Sequence, residues 1–254
     1  MSTRVHAHLR SNVVGYLTLF AFTAAATALA IPASAAAVTA AVEGGKLVVT
    51  GGDGVDKVAL GHGRWDPEGP LYYFVSDVEG SSAAGDVTAG NGCFNPSGAP
   101  WGEAYCSTAV TSVTVSVAGG ADDVSVWCSG ERTIADPLRV AGGGGNDNLG
   151  GATEGSRVTL LGAGGRDGLT PSGCSDAPYS FPITAKGGTQ TDVLRGSCNG
   201  EDSLFGQDGG DFFFTKDGNE DLVDGGAGSD TAEVDRKDVK QSIENNDPRN
   251  FNFC

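Results

Sequence analysis

GQDGGDFFF (residues 206–214) and GGAGSDTAE (residues 225–233) share one template, G-G-x-G-x-D-x-U-x, in which U is a large apolar residue. Working outward, the same template fits GGGGNDNLG (142–150), GAGGRDGLT (162–170) and GGDGVDKVA (51–59). Its departures there are small: Ala163 and Gln207 stand at the second Gly, and Ala232 stands at U. GGTQTDVLR (187–195), SCNGEDSLF (197–205) and KDGNEDLVD (216–224) are degenerate copies, and GGADDVSV (119–126) reads as a copy one residue short. A unit this short, one Gly-rich turn and about three residues of strand, buries nothing alone, so its repetition implies coils that stack on one another.

The spacing of the motif Asp residues sets the coil length. Asp192, Asp202, Asp211, Asp221 and Asp230 follow at steps of 10, 9, 10 and 9, so alternate members lie 19 apart. That alternation predicts coils with a Gly-Asp turn at both ends. Further upstream Asp123, Asp147, Asp167 and Asp192 are 24, 20 and 25 apart, and the strands PLRVAG (from Pro137), SRVTLLG (from Ser156) and FPITAKG (from Phe181) precede the turns. Those are wider coils with the turn at one end only. Short β-branched runs at 38–42, 46–50, 57–60, 71–75, 111–117 and 124–127 read as strands between Gly turns, and 76–107 as a Ser/Gly/Asn/Pro-rich loop.

These nonapeptides resemble the calcium-binding repeats of the RTX, or haemolysin-type, proteins. The opening VTAAVEGGKLVVTG (from Val38), the loop held between Cys93 and Cys106, the strand VTSVTVSV (from Val110) and the closing DTAEVDRKDVKQSIEN (230–245) resemble secreted actinobacterial members. The resemblance implies an all-β, right-handed parallel β-roll or β-solenoid. It implies a β-rich N-terminal segment over 36–110, a repeat roll over 111–233 (wide coils to 191, nonapeptide coils over 192–233) and a C-terminal cap over 234–254.

The resemblance also implies Ca2+ between turns of neighbouring coils on one edge. Calcium takes six to eight oxygens, which Asp carboxylates and turn carbonyls can supply. Gly at the first, second and fourth positions is expected to allow positive φ, so that carbonyls curl toward one point. The expected ligand set is Gly142, Gly144 and Asp147; Gly162, Gly164 and Asp167; Asp192; Asp202; Gly206, Asp208, Gly209 and Asp211; Asp221; and Gly225, Ala227, Gly228 and Asp230. Two columns follow for the tail, Asp192, Asp211 and Asp230 on one edge and Asp202 and Asp221 on the other, with Asp147 and Asp167 as a separate pair. Gln190, Cys198 and Asn219 replace Gly in the weaker turns, and Asp53 with Asp56 forms a lone copy. The inward-facing apolar ladder is read as Leu149, Leu169, Val193, Leu204, Phe213 and Val223.

Composition agrees with this reading. The chain has 254 residues, 41 of them Gly, and a formal charge of −16. Gly in that number excludes a mainly helical protein, because each helix-interior Gly costs roughly 1 kcal/mol relative to Ala. The net charge argues against DNA, RNA or anionic membrane as partners, which call for Lys/Arg clusters. Residues 1–35 read as a secretory signal: Arg4 and Arg10, an apolar run over 13–31, then Ala33-Ser34-Ala35 as cleavage site, with an uncleaved anchor as the alternative. Without Arg4 and Arg10 the charge becomes −18. All six Cys lie beyond residue 35 and none forms CxxC, which suits disulfides in an exported chain. Cys93 and Cys106 bracket a loop and are expected to pair; Cys174 with Cys198 and Cys128 with Cys254 are weaker pairings.

No enzyme is expected. Past the signal the single His is His62, read as a loop residue, and there is no HExxH, no GxSxG and no phosphate-binding loop. Asp122 and Asp123 are adjacent carboxylates, read as turn ligands or solvated acids. The expected role is therefore structural or interactive, with a glycan or protein partner not identified. A cell-surface adhesin presenting the aromatics of 61–107 (Trp65, Tyr72, Tyr73, Trp101, Tyr105) is the alternative, and a polysaccharide-degrading β-solenoid the third reading.

Overall fold

The computed structural model describes residues 38–64, 68–77, 87–97, 102–127, 137–153, 155–171 and 181–246. Residues 1–35, expected as a signal, and Trp65, Trp101, Cys128, Cys174 and Cys254 lie outside the described residues. Among the described residues all regular structure is β, and no helix is long and apolar enough to cross a membrane.

Two sheets run side by side through the chain. The first holds β1 (Thr39–Glu43), β2 (Lys46–Thr50), β5 (Thr88–Ala89), β8 (Val113–Ser116), β10 (Leu138–Gly144), β12 (Val158–Gly164), β14 (Ile183–Thr189), β16 (Ser203–Gly209), β18 (Leu222–Gly228) and β20 (Val239–Gln241). The second holds β3 (Lys57–Gly63), β4 (Tyr72–Asp77), β6 (Cys93–Phe94), β7 (Ala104–Ser107), β9 (Asp123–Trp127), β11 (Asn148–Gly151), β13 (Gly168–Pro171), β15 (Val193–Arg195), β17 (Phe212–Phe214), β19 (Thr231–Glu233) and β21 (Asn245–Asn246). From β8 onward the chain alternates between the sheets, and from β10 to β19 each strand pairs in parallel with the strand two earlier and two later. The first coil is β2 with β3, which pair in parallel with β8 and β9, so stacking begins at Lys46 and runs past residue 233 to Asn246.

Strand alternation puts one apolar row inside each sheet. Leu138, Val140, Val158, Leu160, Ile183, Ala185, Leu204 and Val223 face Val58, Val124, Leu149, Leu169, Leu194, Phe213 and Ala232, all buried. Fully burying a residue of this size is worth about 1.5–3 kcal/mol. In the tail the inward residue of β15 is Leu194, fully buried and in register with Leu169 and Phe213, whereas Val193 points outward. The expected ladder is thus corrected at that rung. Counting from Asp192, Leu194 holds the U position.

At the N-terminal end both sheets change direction. β1 runs antiparallel to β2, and β4 runs antiparallel to β3 and β7. The stretch expected as a loop over 76–107 therefore contributes three short strands. Cys93 and Cys106 face each other across the β6–β7 pair and are disulfide-bonded. Short, covalently tied strands blunt an edge that would otherwise offer open hydrogen-bonding groups. His62 lies in β3, not in a loop, with its ring 4.0 Å from that of Tyr73.

Candidate functional site

Each crossing of the stacked coils from the first sheet to the second, from β2–β3 to β18–β19, carries a buried acid at the same place. Asp56, Asp122, Asp147, Asp167, Asp192, Asp211 and Asp230 are each 5 % exposed or less. Successive members are tied by one bond type: the backbone N–H of each donates to the carboxylate of the next coil. Asp56 donates to Asp122 (2.8 Å), Asp122 to Asp147 (2.9 Å), Asp147 to Asp167 (2.9 Å), Asp167 to Asp192 (2.8 Å), Asp192 to Asp211 (2.8 Å) and Asp211 to Asp230 (2.7 Å). Asp230 donates to Oε2 of Glu244 (2.8 Å), which closes the column. On the opposite edge Ile183 donates to Asp202 (2.7 Å), Asp202 to Asp221 (2.8 Å) and Asp221 to Asp238 (3.3 Å).

This geometry corrects four expectations. Asp192, Asp211 and Asp230 do share an edge, and Asp202 and Asp221 the other, but Asp147 and Asp167 continue the first column. Asp56 is the first rung of that column, 66 residues before its neighbour Asp122, and no lone copy. The repeat Asp of the second turn is Asp122, while Asp123 is exposed on β9. Its turn is of full length with Val117 in the first position, and the spacing becomes 25, 20 and 25. Counting back two residues from the buried Val124 would have found it.

The glycines serve two purposes, only one of them conformational. Positive φ occurs at the second and fourth positions: Gly143 (98°), Gly188 (125°) and Gly226 (91°), and Gly145 (130°), Gly165 (131°) and Gly228 (150°). Ala163, Gln190 and Gln207 hold the same conformation at 83°, 77° and 78°, where a side chain costs roughly 1–2 kcal/mol. A Cβ on Gly145, Gly165 or Gly228 would also run into the carbonyl oxygen of the fourth residue one coil earlier. The first position differs from expectation, with no positive φ at Gly142, Gly162, Gly187, Gly206 or Gly225. There the volume of the missing Cβ is filled by Oδ2 of the Asp five residues on, Asp147, Asp167, Asp192, Asp211 and Asp230. In four of these turns a backbone carbonyl of the next coil, such as Gly187 beside Gly162 or Gly225 beside Gly206, reaches the same point. Third-position residues Gly144, Asp208 and Ala227 are exposed and Gly164 half-buried; the Asp208 side chain stays outside the column.

The two oxygens of each carboxylate have different fates. Oδ1 accepts the cross-coil N–H. Oδ2 of Asp122, Asp147, Asp167, Asp192, Asp211, Asp221 and Asp230 is buried and accepts nothing. Exceptions are Asp56, whose Oδ2 accepts from Gly52 (2.8 Å), and Asp202, whose Oδ2 accepts from Ser197 (2.5 Å). Burial therefore raises these carboxyls, with the neighbouring rungs adding repulsion: Asp122, Asp167 and Asp211 to about 6, and Asp192 to about 7. Asp221, crowded also by Asp202, Asp217 and Asp238, rises to about 8. A buried anionic oxygen without a donor demands a proton or a cation.

Calcium fits that demand in kind. The free oxygens are hard and anionic, and turn carbonyls lie beside them. Among the described residues no three His, Cys, Asp or Glu side chains cluster as a metal site, so most ligands would have to be backbone carbonyls. Cys198 is disulfide-bonded, with a partner outside the described residues. No protein-family model matches the chain, and neither a curated protein nor a solved structure matches it.

Proposed function

We propose that the chain is a secreted calcium-binding repeat protein, a right-handed parallel β-roll of the RTX type, in which Ca2+ bound along the Asp columns couples folding to extracellular calcium. The single observation that carries this reading is the row of seven buried Oδ2 atoms without a hydrogen bond. Each of these seven holds its backbone bond with one oxygen and leaves the other for a cation, whereas Asp56 and Asp202 use both within the protein. When bound, calcium would neutralise the repulsion between rungs, and its binding energy would become folding energy. The millimolar calcium outside cells suits sites of about 10⁻⁴–10⁻³ M.

In this reading the ligands come from Asp147, Asp167, Asp192, Asp211, Asp230 and Asp221, joined by Asp122, with carbonyls of the first and fourth turn positions; Asp202, expected among them, already holds Ser197 with its second oxygen. The role is structural or interactive, without catalysis. The adhesin alternative draws support from one cluster: Tyr72, Phe94 and Tyr105 lie with ring centroids 5.2–6.0 Å apart, and Phe94 is 40 % exposed.

Isothermal titration of the chelator-treated mature chain with CaCl2, followed in parallel by far-UV circular dichroism, tests the proposal. The expected result is binding of several ions together with a gain of β signal. No heat and no spectral change up to several millimolar calcium would overturn it.

A further inference from the structure

The chain's acidity is unevenly placed, and the outer face of the first sheet departs from it. Outward positions of β2, β8, β10, β12 and β14, with the residue leading into each strand, include Lys46, Arg139, Arg157 and Lys186 and no Asp or Glu. All four bases are exposed, and none makes an ion pair with a described residue. Arg157 donates to the hydroxyl of Thr184 (3.3 Å), and Lys186 sits 5.8 Å from the ring of Phe205. Acids return at both margins, at Glu43 opposite Lys46 on β1 and at Glu201 and Asp224 beyond β14. In a chain of charge −16, a face of five parallel strands with only positive charge is a local feature that screening preserves, since the Debye length is about 8 Å at physiological salt.

Register gives the spacing. Arg139 on β10 aligns with Thr159 and Thr184, and Lys186 lies two residues further along β14. With strands about 4.8 Å apart and about 3.3 Å per residue, their backbones lie roughly 12 Å apart. Arg157 leads the strand between them, and Lys46 lies in the same row as Arg157, three strands away, at roughly 14 Å.

We propose that this face binds an acidic polysaccharide, one with a carboxylate or sulfate every one or two sugars. Four bases spread over such distances suit a sparsely charged, extended polymer. Duplex DNA presents one charge per about 1.7 Å and would meet the acidic remainder of the chain on both sides of the strip. Thr159 and Thr184 between the bases, and the ring of Phe205 beside Lys186 on the next strand, offer the hydroxyl and stacking contacts that a sugar ring uses. The face is separate from the Asp columns, which lie at the crossings between sheets.

The test uses the mature chain in calcium with hyaluronate as probe, measured by affinity electrophoresis, with uncharged dextran, duplex DNA and phosphatidylserine vesicles as comparison arms. Hyaluronate should retard the wild type, less so as salt rises, and dextran should not. R139Q/R157Q/K186Q should weaken the hyaluronate interaction about tenfold or more, in line with the loss of several charge contacts. R236Q, at an exposed Arg on the C-terminal cap, should leave it unchanged. Circular dichroism and melting in calcium check that the variants are folded, which separates a failure here from a failure of the calcium reading. Equal binding by the triple variant, equal retardation by dextran, no binding of hyaluronate, or tighter binding of DNA or vesicles would each overturn the proposal.

Discussion

The two edges of the stack solve one problem differently. On the first edge seven Asp and a closing Glu form an unbroken column, whatever the coil length: rung-to-rung separations of 66, 25, 20, 25, 19, 19 and 14 residues leave the same N–H to carboxylate bond of 2.7–2.9 Å. On the second edge, among the described residues, only Asp202, Asp221 and Asp238 form a column, at separations of 19 and 17. All the variation in coil length is therefore taken up at the second edge and in the N-terminal excursion. The close backbone stacking at Gly145, Gly165 and Gly228 explains why. A column in which each carbonyl touches the next coil's Cα tolerates no inserted residue, whereas a surface loop does.

The largest test of that difference is steric. Gly165→Ala on the first edge drives a Cβ into the carbonyl of Gly145 at a φ of 131°. It should abolish cooperative unfolding or lower the melting temperature by more than about 10 °C, corresponding to several kcal/mol. Gly155→Ala on the second edge, with φ 82° and open space around it, should cost only about 1–2 kcal/mol. Equal losses would remove the distinction between the edges.

Loss of a rung should be the next largest effect. Asp192→Ala strands the buried N–H of Asp167, which costs about 1–3 kcal/mol in chelator by denaturant unfolding. Asp238→Ala, at the half-buried end of the second column, loses a longer bond of 3.3 Å from Asp221 and part-buried bonds from Thr215 and Asp235 that water can replace, and should cost less. A greater loss from Asp238→Ala would place the more important column on the other edge.

The pH dependence without calcium has a definite sign. Asp122, Asp167, Asp192, Asp211 and Asp221 are raised from the ordinary 3.8 to about 6 to 8, and burial raises Asp147 and Asp230 as well, so the folded chain holds more protons than the unfolded one. Their contribution is present in full below about pH 4 and is lost as pH rises through 6 to 8. Urea midpoints in chelator should fall between pH 5 and 8. A midpoint rising over that range would show that the carboxyls are satisfied as anions without a cation. The smallest effect is expected from Val193→Ala, whose side chain points outward, against about 2–5 kcal/mol for Leu194→Ala behind it.

Much of this was legible in the chain. The strands at 46–50 and 124–127 and the 19-residue alternation of the tail were, because Gly turns and β-branched runs report local structure. The columns of the tail were legible for the same reason: equal spacing places equal residues above one another. What could not be read was continuity across unequal insertions. Nothing local joins Asp56 to Asp122 over 66 residues, and Asp122 with Asp123 offers two frames that only burial on the inner face separates. The purpose of the first Gly was also hidden, since the carboxylate that fills its missing Cβ is a tertiary feature. The net charge of −16 concealed a sheet face of the opposite sign for a like reason, as composition carries no position.

The central claim is that the free oxygens of the Asp columns are held for a cation. Thermal unfolding of the mature chain at pH 7.5 in chelator and in 5 mM CaCl2, for the wild type and Asp192→Asn, tests it most directly. Asn keeps the Oδ1 acceptor and removes the charge. The account predicts that calcium raises the wild-type midpoint by more than about 10 °C, on the order of several kcal/mol for ligand well above its Kd. It further predicts that Asp192→Asn is no less stable than wild type in chelator and gains clearly less from calcium. A wild-type midpoint unmoved by calcium, or an equal gain in the variant, would contradict it.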